Sequence, residues 1–168
     1  MTATIIDGKA LARQYREEAA AKVADLTRRG HSVRLDAVIA AAEDCHPSSR
    51  VYAEKQATRC RELGIDYRLH ELPPGGDYED AAGRVLLLNA DEEVRAIMVH
   101  LPLPAGIDTQ QIQALIDPAK DVEGVNPANI GNVVYGRFSL VPCTALAVLK
   151  MVRSTGVELK GKRAVIVG

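Results

Sequence analysis

The chain has 168 residues, 47% of them hydrophobic and 26% charged, with a formal net charge of -1. That is the make-up of one ordinary folded domain with its own core, and it excludes a disordered chain. The near-neutral balance leaves no electrostatic footprint for nucleic acid or an anionic membrane, and no apolar run approaches the roughly 18 residues that a membrane span needs. The opening residues carry no basic stretch followed by an apolar one, so no secretory signal is read. Cys45, Cys60 and Cys143 are odd in number and far apart, which predicts reduced thiols and a cytoplasmic protein. Trp is absent and Phe occurs once, so aromatic stacking falls to five tyrosines.

Residues 4–6 read as a short strand. Asp7 then caps a helix over 8–29, in which Leu11, Tyr15, Ala19, Val23 and Leu26 recur every three or four positions. Arg28, Arg29 and Gly30 suit its end, with basic side chains at the negative pole and a glycine for a left-handed cap. Residues 33–41 read as a buried strand carried by Leu35, Val38 and Ile39. After a loop with Asp44, His46 and Pro47, Ser48 or Ser49 can cap a helix to about Leu63, which Gly64 ends. Residues 65–72 alternate as a strand. Pro73-Pro74-Gly75-Gly76 is a turn, Asp77 caps a helix to about Asn89, and 93–99 is a strand with a buried end.

Asp108 starts a short helix through Ile116, which Asp117-Pro118 breaks. Residues 118–141, punctuated by Gly124, Pro127, Gly131 and Gly136, read as irregular. Pro142 suits the first turn of a helix to about Ser154, and 163–167 read as an apolar strand before Gly168. Strands alternating with helices predict an α/β domain, a mostly parallel sheet flanked by helices. A short apolar run ending in glycine is also how a nucleotide-binding βαβ unit begins. Its stop at Gly168 predicts a truncated chain.

Three stretches carry candidate chemistry: 49–56, 100–104 and 120–124. Tyr52 offers an aromatic face to a planar ligand, or packs on its own domain with its hydroxyl at the surface. His100 titrates near neutral pH and can act as acid or base, or it is a hydrogen-bonded residue at a strand end. Asp121 and Glu123 are site carboxylates, or loop acids paired with Lys120 or an arginine. Thr144 bonds a ligand or caps a helix. Cys143 lacks an activating base. His31, His46 and His70 lack zinc spacing, and no metal site is read.

The ordered set Asp7-Gly8-Lys9, Ser49-x-x-Tyr52, Leu101-Pro102-Leu103-Pro104, Lys120-Asp121-Val122-x-Gly124, Asn126-Pro127-x-Asn129-x-Gly131 and Pro142-Cys143-Thr144 resembles the methylenetetrahydrofolate dehydrogenase/cyclohydrolase family, often called FolD. The resemblance implies that residues 1–150 form a folate-binding catalytic domain. It implies that 151–168 finish an interdomain helix and enter the first strand of an incomplete Rossmann-type NAD(P)-binding domain. The implied reaction is NADP-dependent (or NAD-dependent) oxidation of 5,10-methylene- to 5,10-methenyl-tetrahydrofolate, with the cofactor held only by a longer chain. Hydrolysis of the methenyl form is the second implied activity. Tetrahydrofolate derivatives are the implied partners, the implied assembly is a homodimer, and neither nucleic acid nor membrane is expected.

Residue by residue, the resemblance implies that Tyr52 stacks on the folate aromatic portion. Ser49, Leu101, Pro102, Asp121 and Glu123 would border the folate, and Thr144 and Gly168 the cofactor. Gln56, His100 and Lys55 are the catalytic candidates. Here the chain departs from the family. Gln56 stands where the family has a lysine whose ammonium can exchange protons, and an amide can only orient groups by hydrogen bonds. Lys55 is rotated about 100° around the helix. His100 stands where the family has a glutamine, Glu123 replaces an aspartate, and Val125-Asn126 replaces an aromatic-histidine pair. Loss of the hydrolytic step is the first expectation. The rival is a rearranged pair in which His100 takes the proton and Gln56 orients it. A non-catalytic folate-binding module and a diverged one-carbon enzyme of specialised metabolism are the alternative functions.

Overall fold

The computed structural model describes residues 5–167. Its helices and strands run α1 (Gly8–Arg28), β1 (Arg34–Ile39), α2 (Pro47–Leu63), β2 (Asp66–Glu71), α3 (Tyr78–Ala90), β3 (Ala96–Val99), α4 (Thr109–Leu115), α5 (Pro127–Val134) and α6 (Cys143–Arg153). The sheet is wholly parallel in the order β2-β1-β3. Leu35 of the central strand stands between Tyr67 and Ala96, and Val38 between His70 and Val99. All three strands therefore end along one edge. The connection from β1 goes to one side and β3 lies on the other, so a crevice opens at the carboxyl end of β1, where open α/β sheets bind ligands.

Local chemistry explains most element boundaries. Asp7 accepts from Ala10 N at 2.9 Å to start α1. Asp77 and Asp80 form a reciprocal capping box on α3, and Asp108 accepts from Gln110 N and Gln111 N to start α4. Gly64 ends α2 in the left-handed conformation at φ 78°. The start of α2 differs from the sequence reading: Pro47 is already helical, and His46 is the cap, accepting from Ser48 N through its ring. Ser48 and Ser49 lie inside the first turn.

Alternation gives the sheet two faces. Val38, Ile97 and Val99 face α3 and α4, where Val85, Leu88, Ile112 and Ile116 complete an apolar core. The same face carries a polar cluster beside that core. Arg34 Nη2 donates to Asp36 Oδ1 at 2.8 Å and its Nε lies 2.7 Å from Oδ2 as an ion-pair contact, and His70 Nε2 lies 2.6 Å from Asp36 Oδ1. Arg34 also reaches Asp91 at 3.0 Å. The opposite face lies under α2, which buries Ala53 and Cys60 against it.

Two sequence readings do not hold in the structure. The span 118–141 contains α5, begun by Asn126, whose side chain accepts from Ala128 N at 2.8 Å, with Pro127 in the first turn. Residues 163–167 form no strand: Val165, Ile166 and Val167 are 87–92% exposed and pair with no described residue. A strand exists only by pairing with a neighbour, so apolar composition alone did not make one. The strand read at 4–6 begins outside the described residues, and Ile5 and Ile6 are exposed and unpaired. No described helix is long and apolar enough to cross a membrane.

Candidate functional site

A cavity of about 470 Å³ opens at the crevice beyond β1 and β3, lined by Ser48, Ser49, Tyr52, Met98, Val99, His100, Leu101, Gln113, Glu123 and Val125. Three separate segments meet there: the first turns of α2, the end of β3, and the loop after Asp121. His100 follows β3 and keeps its ladder bond, N to Val38 O at 2.8 Å. Alternation turns its side chain away from the Val99 face and under α2. Its ring is 3% exposed and meets the Tyr52 ring edge to face, with centroids 5.7 Å apart and planes at 76°. Tyr52 is 58% exposed, so its ring is available to a ligand from the cavity side. Burial lowers the His100 pKa below its ordinary value, which favours the neutral imidazole.

The partner of His100 is Tyr67, whose hydroxyl lies 3.1 Å from Nε2. It is not Gln56. The Gln56 amide oxygen is buried without a hydrogen-bond partner among the described residues, and Gln56 lies outside the cavity wall. The pairing expected between these two side chains is therefore replaced by one with a residue of β2. Burial, assisted by Cys60 and Tyr52, pushes the Tyr67 phenol well above its ordinary value and keeps its proton on. Sequence spacing gave no signal for Tyr67, because its partner is 33 residues away, just past the end of another strand.

The acidic loop divides its labour. Asp121 is fully buried and outside the cavity wall. Its Oδ2 accepts from Asn126 N at 2.8 Å and from Asn129 Nδ2 at 2.9 Å, which ties the start of α5 to the end of the bridge between Ile97 and Asp121. Lys120 points elsewhere, donating to the carbonyls of Leu88, Asn89 and Asp91 at 2.7–3.2 Å and closing the end of α3. Glu123 is the acid that lines the cavity. Burial raises its pKa, the neighbouring Asp121 charge adds to the rise, and the Val99 N–H opposes it. Gly124 makes this arrangement possible. Its φ is +67°, and a Cβ there would lie 2.2 Å from the Val141 carbonyl carbon.

Of the other sequence candidates, Ser49 lines the cavity, but its hydroxyl donates to Leu101 O at 2.6 Å and binds α2 to the strand end. Leu101 is in the wall and Pro102, joined to it by a cis peptide, is exposed outside it. Lys55 is exposed on α2 outside the wall. Thr144 is exposed in the first turn of α6, which has no side-chain cap. Gly168 lies outside the described residues. Gln113 of α4 is a wall residue that the motifs did not indicate, and Val125, noted as a departure from the family, is in the wall as well. A second groove, between α1 and α6, is apolar apart from Lys150, which sits 5.0 Å above the Tyr15 ring.

An aromatic face, a buried imidazole and an acid whose pKa burial raises thus meet at the carboxyl edge of a parallel sheet in an α/β domain. Residues 6–123 match the family described as tetrahydrofolate dehydrogenase/cyclohydrolase, catalytic domain, and the chain belongs to that family. It is 42% identical over 166 residues to bifunctional protein FolD 1 of Rubrobacter xylanophilus, covering 99% of this chain and 57% of that protein. It is 45% identical over a 170-residue alignment to bifunctional protein FolD of Heliobacterium modesticaldum, covering 100% of this chain and 58% of that protein. The fold superposes on the bifunctional FolD enzyme of Campylobacter jejuni with a TM-score of 0.89 at 32% identity, over 95% of this chain and 56% of that one. It superposes on Trypanosoma brucei FolD, solved with NADP and an inhibitor, with a TM-score of 0.86 at 33% identity, over 96% and 55% of the two chains. The chain thus spans a little over half the length of the curated relatives it matches.

Proposed function

We propose that residues 1–150 are the folate-binding catalytic domain of a methylenetetrahydrofolate dehydrogenase that oxidises 5,10-methylene- to 5,10-methenyl-tetrahydrofolate, with 151–168 leading toward an NADP-binding domain. The observation that carries this reading is the convergence of Tyr52, His100 and Glu123 on one cavity. The Tyr52 ring stacks on a planar part of the folate. Glu123 meets the ring amine and N–H donors of the pterin. Burial makes its ionised form costly in the empty cavity, and those donors would offset that cost by hydrogen-bonding the carboxylate. Leu101 and Val125 exclude water from the same wall.

The described residues do not form a dinucleotide cradle. The run 163–167 is exposed and pairs with no described residue, and Thr144 alone cannot hold a pyrophosphate. No hydride step is therefore assigned to these residues. Their contribution is to bind the folate and orient it. A homodimer in the cytoplasm belongs to the same reading.

Methenyl hydrolysis is expected to be weak, because an amide at position 56 neither gives nor takes a proton at neutral pH. A coupled assay of the full-length protein, reading NADPH formation and methenyl hydrolysis separately, tests both halves. NADPH formation with little hydrolysis is expected, and Gln56→Lys is expected to raise hydrolysis about tenfold or more. Absence of NADPH formation, together with no calorimetric binding of tetrahydrofolate at millimolar concentration, would overturn the proposal.

A further inference from the structure

His100 is the imidazole of the cavity wall, and its two nitrogens are not equivalent. Nε2 is occupied by the Tyr67 hydroxyl at 3.1 Å, which leaves Nδ1 as the remaining polar atom of a ring that borders the cavity. We infer that Tyr67 is a positioning residue: by donating its hydroxyl proton to His100 Nε2 it keeps the ring's own proton on Nδ1, so that His100 offers a ligand an N–H donor and not a lone pair.

The direction of the bond follows from the chemistry of the pair. A phenol is a good donor, and a neutral imidazole has one unprotonated nitrogen that is a good acceptor. Burial retains the phenol proton and disfavours the imidazolium, so the neutral-to-neutral bond is the form that fits this site. The ring is also held in place. Its main chain is fixed by the bond to Val38 O, and the ring packs edge to face with Tyr52.

A nitrogen that already carries a proton accepts none, so His100 in this state orients an acceptor atom and does not serve as a base. The ligand that fits is a planar ring lying on Tyr52 with a carbonyl oxygen or ring nitrogen in reach of Nδ1. Glu123 is the carboxylic acid of the wall, beside the Tyr52 phenol. It calls for the opposite partner, an amine or N–H donor. The two side chains together read a ligand edge that carries both an acceptor and a donor. That the edge belongs to a folate rests on the proposed function, whereas the state of the imidazole does not.

Nitrogen NMR on histidine-labelled protein without ligand tests the assignment, with the His100 signals identified by their loss in His100→Gln. The expected spectrum shows Nδ1 protonated and Nε2 bare. Tyr67→Phe is expected to give a mixture of tautomers and to weaken tetrahydrofolate binding by about fivefold, the worth of one ordinary hydrogen bond. Incorporation of meta-fluorotyrosine keeps the ring and strengthens the phenol as a donor. It is expected to shift the Nε2 resonance in protein that folds as the parent does, whatever the fate of Tyr67→Phe. A proton on Nε2 in the parent protein, or an Nε2 signal indifferent to fluorination, overturns the assignment. The expected tautomer with no tetrahydrofolate binding overturns the folate reading and leaves Tyr67 in its role.

Discussion

Ionisable side chains are buried on both faces of the sheet, and the two sets are built differently. On the α3 face, both Asp36 oxygens lie against Arg34, and one of them also meets His70. On the α2 face, His100 has one partner, Tyr67, while Glu123 faces a cavity with its proton affinity raised. A buried carboxylate surrounded by cationic and hydrogen-bonding partners secures structure, and removing one member leaves the others stranded. A half-buried acid whose charged form is opposed by burial and by a neighbouring carboxylate, with a backbone N–H in partial compensation, is costly as an ion in the empty protein and ready for a ligand donor. The first face holds the sheet together; the second has capacity left for binding.

Breaking the closed cluster is expected to give the largest effect. Asp36→Ala leaves Arg34 dependent on Asp91 and takes the carboxylate from His70, and should cost about 3 kcal/mol in chemical denaturation, while tetrahydrofolate affinity per folded molecule stays unchanged. Gly124→Ala should follow, at about 3 kcal/mol, because a Cβ must displace the Val141 backbone and adopt an unfavourable φ. Unlike Asp36→Ala, it should also weaken binding, since Glu123 is its neighbour.

On the open face the order of effects reverses. Tyr52→Ala removes a largely exposed ring, so stability should change by no more than about 0.5 kcal/mol, while calorimetry should show binding about tenfold weaker. Glu123→Gln should have the smallest effect on folding and the most informative sign. Because the folded pKa of Glu123 lies above its unfolded value, the parent protein loses stability as pH rises from the unfolded pKa through the folded one. Thermal melts at about pH 4 and about pH 8, values chosen to bracket that range, should therefore show the variant gaining on the parent at the higher pH. An unchanged difference would mean that Glu123 is not destabilised in the empty cavity.

The sequence made visible what adjacent residues decide. Asp7, Asp77 and Asp108 cap helices through their own first turns, and Gly64 closes α2 through its own φ. The start of α5 was legible by the same rule, since Asn126-Pro127 is a cap followed by a first-turn proline. The glycines at 131 and 136 drew the reading toward a loop instead. Long-range pairing was not legible. The apolar run 163–167 has strand composition and no described neighbour to pair with. Tyr67 was missed because its hydroxyl meets a ring that neither its own segment nor its strand register identifies. Asp121 was placed in the site because its motif mixes a buried structural acid with an acid of the wall, and spacing alone does not say which acid turns inward.

Lys120 and Asp121 stand side by side, yet one closes the end of α3 and the other ties down Asn126 and Asn129, and neither borders the cavity. The parts of the motif that hold the loop are thus separable from the residue that faces a ligand. A cavity lining transplanted from another protein of this fold would have to match at Tyr52, His100, Gln113, Glu123 and Val125, together with Tyr67 behind them. The lysine and aspartate next door would serve the new lining without alteration, because their work is done against backbone groups and Asn129, away from the cavity.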